Sequence, residues 1–260
     1  MAITDVTVAH MAFLLFATFI AGLIDSIVGG GGLINVPALF SVFPNSVPAN
    51  LFATNKVAGV AGTSSAAIRY ARAIKVEWSV ALPAALAAFI FAFLGSWSIA
   101  HIPGDWLRKT VPFLLSAVAL YTFSQKQLGV THAPKHQGVN AAIFAAFGGG
   151  VIGFYDGFFG PGTGSFLVFM FVRWFGFNFL SASAAAKIVN VACNLASLSY
   201  FIPAGYVWWE IGIVMACFNV LGSQLGSIIA IKQGSRWVRK LFLLLVLALI
   251  TKTFYDGFLN

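Results

Sequence analysis

Residues 21–40 read AGLIDSIVGGGGLINVPALF, and residues 153–171 read GFYDGFFGPGTGSFLVFMF. Each is an apolar run with one aspartate, Asp25 or Asp156, four residues ahead of the first glycine of a cluster. The clusters are Gly29 to Gly32 and Gly160-Pro161-Gly162-Thr163-Gly164. Glycine and proline break helices, through backbone entropy and a missing donor. Inside a bilayer such a break persists only where protein or a water-filled cavity satisfies the freed backbone groups. The surrounding apolar stretches run over 12–40 and 139–171. As one helix the first would be about 43 Å long, against a hydrocarbon core of about 30 Å. The glycines therefore predict a re-entrant or discontinuous helix in each stretch.

The rest of the chain has the composition of a polytopic helical membrane protein. Of its 260 residues, 60% are hydrophobic, 15% aromatic and 8% charged. Soluble domains carry roughly 25% charged residues, so too little polar surface is left here to face water. The same shortage excludes disorder, and two cysteines, Cys193 and Cys217, exclude a disulfide scaffold. Other apolar stretches cover 51–70, 78–100, 107–124, 182–201, 208–231 and 237–257. At ~20 residues per crossing the length allows about seven to nine crossings. The first ten residues, MAITDVTVAH, lack the basic start of a signal peptide. The net charge of +8 suits loops that face anionic lipid, and no basic cluster stands clear of the apolar stretches to bind nucleic acid.

The chain also repeats itself at an offset of 131 residues. Gly22, Asp25, Gly29, Gly31, Ala53, Lys56, Trp78 and Trp106 recur as Gly153, Asp156, Gly160, Gly162, Ala184, Lys187, Trp209 and Trp237. Gly95-Ser96 and Arg108-Lys109 recur as Gly226-Ser227 and Arg239-Lys240. Matched Asp, Lys and Trp in one register, with one local slip after the glycines, mark a duplication, with one integral membrane domain built from repeats 1–130 and 131–260. Broken segments at corresponding places in two repeats are the sequence mark of a secondary transporter.

Charge counting orients the repeats. With one crossing per apolar stretch, six Lys and Arg fall on one side and seven on the other. With the two broken stretches returning to the side they came from, the count becomes ten against three. The second arrangement obeys the positive-inside rule. It gives each repeat a glycine-broken helix followed by about three crossings. An odd number of crossings makes the repeats inverted, with loops 69–77, 125–138 and 232–240 cytoplasmic and both termini outside.

The two quoted segments, with the following ATNKVAG (53–59) and AAAKIVN (184–190), resemble the paired signatures of the TauE/SafE family. That family is also described as sulfite exporters or 4-toluene sulfonate uptake permeases, and the resemblance covers essentially the whole chain. It implies a cell-membrane transporter, in the inner membrane if the source is bacterial, for small sulfur-containing anions such as sulfite or organosulfonates.

Four ionisable residues lie within apolar stretches: Asp25, Lys56, Asp156 and Lys187. Such residues are functional candidates by default, and their charges sum to zero, which permits two Asp–Lys pairs. The lysines are candidates for attracting an anion, and the aspartates for proton coupling or for a structural ion pair. Alternatively Lys56, about 9 Å from its helix start, snorkels to the interface. Gly30, Gly31 and Gly32, with Gly162, Thr163, Gly164 and Ser165, precede short apolar arms. A helix starting after each break aims its positive end at an anion. The competing reading is close helix packing, as for the stripe Gly149, Gly153 and Gly157. Asn55, Asn190 and Asn194 are further candidates for substrate contact, or else interhelical hydrogen bonds. Asn219 and Gln224 read as packing residues.

The leading expectation is a secondary exporter of small anions driven by a proton or ion gradient. A passive anion channel, or a transporter of another small organic anion, stays open as an alternative. No GxxxxGK[ST] loop serves ATP, and neither HExxH nor Gly-x-Ser-x-Gly marks an enzyme. No cofactor or metal is expected. The expected partners are the anion and the bilayer, with a homodimer as a candidate assembly.

Overall fold

The computed structural model describes residues 7–102, 138–238 and 240, and among them every regular element is a helix. Eight are long enough to name: α1 (Val8–Val28), α2 (Gly32–Val42), α3 (Pro48–Ala73), α4 (Trp78–Ala100), α5 (Gly138–Phe158), α6 (Thr163–Arg173), α7 (Phe179–Phe201) and α8 (Trp209–Gln233). Five of them, α1, α4, α5, α7 and α8, are long and apolar enough to cross a membrane. The α3 helix has 26 residues and carries Lys56, Arg69 and Arg72. The α2 and α6 helices have 11 residues each, about half a crossing.

Local chemistry sets the boundaries. The Thr7 hydroxyl accepts the His10 N–H and opens α1. Gly29, at φ +79°, closes α1 in the left-handed region that glycine enters without strain. Pro48 starts α3, where a missing N–H costs nothing. The Asn178 side chain accepts the Ser181 N–H at 2.8 Å and opens α7. Both long apolar stretches are broken at their glycine clusters, as expected. The expected loop 69–77 is shorter, because α3 continues to Ala73 and takes in Arg69 and Arg72. Segment 107–124, loop 125–138 and segment 237–257 lie outside the described residues, apart from positions 138, 237, 238 and 240.

The 131-residue offset reappears in the helices. Gly32 and Thr163 begin α2 and α6, Pro48 and Phe179 begin α3 and α7, and Trp78 and Trp209 begin α4 and α8. The packing crosses between the two halves. In α8, Asn219 donates to Thr18 O at 3.4 Å and Ser223 donates to Gly22 O at 3.2 Å, so α1 and α8 run parallel. A Cβ on Gly149 would lie 2.7 Å from Ala84 Cα, and one on Gly153 would lie 2.6 Å from Ala88 Cα. Helices α4 and α5 are therefore parallel as well, with backbones too close for any side chain at those glycines. Corresponding helices α3 and α7 run antiparallel. Gly59 faces Asn194, while Asn50, nearer the start of α3, donates to Tyr206 O just beyond the end of α7.

Side-chain size sorts the faces of α4. Ala81, Ala84, Ala88 and Ala92 are buried against α5 and α7, while Leu82, Leu86, Phe89, Ile90 and Phe93 are exposed. Small residues inside and large apolar residues outside is the pattern of a helix packed in lipid, where close backbone approach replaces the hydrophobic effect.

Candidate functional site

Each glycine cluster reverses the chain. After Gly29, the next helix comes back along α1, so that a Cβ on Gly31 would sit 2.7 Å from Ala21 O and 2.8 Å from Asp25 Cβ. In the second half, Gly160 and Gly162 adopt φ +94° and +86°, and the Thr163 hydroxyl donates to Gly160 O at 2.7 Å. The two tips then meet. Ser165 donates to Gly29 O at 2.7 Å and to Val28 O at 3.2 Å. A Cβ on Gly29 would lie 2.6 Å from Gly164 O, and one on Gly32 would lie 3.0 Å from Pro161 Cα. Glycine is thus required twice over at Gly29, for its φ and for the contact.

The N-termini of α2 and α6 open onto one cavity. About 50 Å³ of it is open to the centre of a water-sized sphere, room for a few waters or one small oxyanion. Its walls include Asp25, Gly31, Gly32, Asn55 and Lys56 from the first half, and Asp156, Gly162, Thr163, Gly164, Asn190 and Asn194 from the second. Three expected site residues stand behind that wall. Gly30 belongs to the turn, Ser165 spends its hydroxyl on the Gly29 and Val28 carbonyls, and Lys187 is sealed by its partner.

The four membrane charges form two crossed pairs. The Lys56 ammonium donates to the Asp156 carboxylate, and to Asp156 O at 3.0 Å. The Lys187 ammonium donates to Asp25 Oδ2 at 2.9 Å and to Asp25 O. Each lysine follows one break and holds the aspartate that precedes the other. Lys56 therefore points inward, and the snorkelling alternative is not what the fold adopts: the side chains of Lys56 and Asp156 are 5% and 3% exposed. The second pair is less closed, with Lys187 at 1% and Asp25 at 15%. Asp25 also accepts the Gly31 N–H and the Thr63 hydroxyl, each at 3.4 Å.

Charge over the whole site balances. Two ammonium groups cancel two carboxylates. The N-termini of α2 and α6 contribute roughly half a positive charge each, and the C-termini of α1 and α5 roughly half a negative charge each. Each lysine also caps a last-turn carbonyl of those C-termini, where a cation is favoured. The cavity wall is therefore neutral in sum, with donors and acceptors side by side. Among the described residues, no three His, Cys, Asp or Glu side chains cluster as a metal site would need.

Six wall residues lie outside the expected set: Gly29, Asn35, Gly59, Thr63, Gly160 and Asn219. Asn219 had read as a packing residue, and it serves both uses, since it also donates to Thr18 O. Asn35 stands three residues after Gly32 on the first turn of α2, and a helical side chain leans towards the N-terminus of its helix. That spacing was the available signal. Gln224, also read as packing, accepts from Arg69 and donates to Ser65. At the same offset, the partners equivalent to Arg69 and Gln224 are Tyr200 and Phe93, whose rings meet edge to face at 5.8 Å. One α3–α8 seam is polar where the matching α7–α4 seam is aromatic.

Comparison with known proteins places the chain in a family. Residues 14–253 match the family described as Sulfite exporter TauE/SafE. A protein named "Probable membrane transporter protein ORF9" from Sinorhizobium sp is 38% identical over 252 residues, covering 97% of this chain and 95% of that protein. "Probable membrane transporter protein YfcA" of Escherichia coli strain K12 is 35% identical over 247 residues, 95% of this chain and 90% of that one. A "Probable membrane transporter protein" of Haemophilus influenzae is 33% identical over 252 residues, 97% of both chains. No solved structure matches the chain. The chain belongs to the sulfite exporter TauE/SafE family of membrane transporters and is a multi-pass protein of the cell membrane.

Proposed function

We propose that the protein is a secondary transporter, working as an exporter, for small sulfur-containing anions such as sulfite or organosulfonates, and that the anion moves with a proton. The observation that carries this reading is the cavity itself. Two glycine tips, two half-helix N-termini and the Lys56–Asp156 pair converge on one small polar space in an otherwise apolar helical bundle. Backbone N–H groups at helix N-termini are suited to sulfonate or sulfite oxygens. Lys56 supplies the one ammonium on the cavity wall, and Asn55, Asn190 and Asn194 supply amides. Lys187 acts from behind by fixing Asp25.

The repeats 1–130 and 131–260 are read as inverted, with α1–α2 and α5–α6 as re-entrant units. The antiparallel course of α3 and α7 and the parallel pairing of α1 with α8 support that reading. An alternating mechanism would then rock one half against the other around a fixed central site. Coupling follows from neutrality. An anion entering a neutral, low-dielectric cavity brings an uncompensated charge, and protonation of Asp25 or Asp156 restores the balance. Anion and proton then favour each other's binding, and the linkage is reciprocal. Flux of sulfite from proteoliposomes, with and without a pH gradient, tests the reading. A gradient-driven flux lost in Lys56→Met is expected; flux indifferent to the gradient indicates the channel alternative.

A further inference from the structure

Asn35 carries a second kind of information about the substrate. It is 2% exposed, lies on the cavity wall, and its side-chain oxygen Oδ1 is buried without a hydrogen-bond partner. A buried amide oxygen is an acceptor only, and it needs a donor. No donor of the wall is bonded to it: Lys56 donates to Asp156, Thr63 donates to Asp25, Asn219 donates to Thr18 O, and the amides of Asn55, Asn190 and Asn194 do not reach it. Water can meet the need while the cavity is hydrated. A ligand that displaces the water must bring its own donor or leave the oxygen unpaired.

The acceptor is also one-sided. The position equivalent to Asn35 in the second half is Phe166, whose ring packs edge to face on Tyr155 at 5.3 Å. The repeat that doubles the glycine tips and the ion pairs does not double this oxygen. A ligand is therefore read differently at its two ends.

Resting on the proposed anion site, we infer that the substrate is an anion that also carries an O–H or N–H donor, and that Asn35 Oδ1 selects for it. The class includes hydroxy- or amino-bearing sulfonates and hydrogen sulfite. It excludes fully deprotonated oxyanions and plain alkyl sulfonates as good ligands. Discrimination of this type is strong because a ligand lacking the donor strands a buried polar group.

The test uses isethionate (2-hydroxyethanesulfonate) and ethanesulfonate, which share the sulfonate and differ by one hydroxyl. Titration calorimetry on the purified full-length protein is expected to find isethionate bound roughly tenfold more tightly. In Asn35→Leu, which keeps the branching at Cγ and removes the acceptor, the preference should vanish. Equal affinity of the two probes for the wild-type protein overturns the inference and leaves the anion site standing. A preference that survives in Asn35→Leu overturns the assignment to Asn35. Failure of both probes to bind the wild-type protein overturns the sulfonate reading of the cavity and the inference with it. The wild-type comparison decides the matter even if the variant does not fold.

Discussion

Removing the Lys56 ammonium separates what the crossed pairs do for the fold from what they do for transport. In Lys56→Met the side-chain volume is nearly kept and the charge is lost. Asp156 then remains 3% exposed, in an interior walled by α3, α5 and α7, with its cation gone. Breaking a buried pair by deleting one partner costs about 3–5 kcal/mol, because the remaining charge is stranded. The same change at Lys187 should cost less. Asp25 is 15% exposed and keeps the Gly31 N–H and the Thr63 hydroxyl as partners. The double variant Lys56→Met/Asp156→Leu removes both charges and should recover most of the stability, since an apolar pair of similar volume is often neutral or stabilising. Thermal unfolding in detergent gives the stability order: wild type and double variant high, Lys187→Met intermediate, Lys56→Met low. Sulfite flux in proteoliposomes gives the other half: the double variant should fold and transport nothing. If Lys56→Met is as stable as wild type, the pair is not the buried contact described. If the stable double variant still transports, the pair is a structural element and the anion is bound elsewhere.

Three further perturbations address the tips, the coupling and the topology. Gly29→Ala places a Cβ 2.6 Å from Gly164 O at a φ of +79°, and should abolish isethionate binding, whereas Gly205→Ala has similar strain (φ +75°) with nothing nearby and should leave binding intact; equal loss in both would show that strain alone matters. Asp25→Asn should stop accumulation driven by a pH gradient yet spare anion exchange, while a merely structural aspartate would lose both activities. Cysteines introduced at Lys75 and Gly234, in a protein whose Cys193 and Cys217 are replaced by serine, should react with an impermeant reagent from one and the same face, the cytoplasmic one in the proposed topology, since α3 and α8 run parallel, with Val57 at Gly212 and Arg69 at Gln224; reaction from opposite faces would remove the inverted arrangement.

The sequence carried much of this because duplication exposes whatever is constrained. Chance does not place Asp25 and Asp156, Lys56 and Lys187, and two glycine clusters in one register, so the breaks and the charges could be read before any fold was known. What it did not contain was the pairing between halves. Nothing in a linear register says that Lys56 meets Asp156 and not Asp25, because that depends on the tips crossing at Gly29 and Gly164. The difference between the lysines was equally hidden. They are equivalent by offset, yet Lys56 lines the cavity and Lys187 is shielded behind Asp25. Asn35 escaped notice for a related reason. Its equivalent is Phe166, so no matched polar residue marks the place where the symmetry is broken. Asn219 was read as packing because its neighbours Gly222 and Ser223 are small, and an asparagine between tightly packed helices can both bond a carbonyl and face a cavity.

The central claim is that an anion and a proton occupy the site together. Isethionate tests it directly, because its sulfonate does not titrate near neutral pH and any proton taken up belongs to the protein. Detergent-solubilised protein in weakly buffered solution should take up close to one proton per isethionate bound, and Asp25→Asn/Asp156→Asn should bind the anion without uptake. Binding by the wild-type protein with no change in bulk pH, or uptake that persists when both carboxylates are gone, would contradict the account.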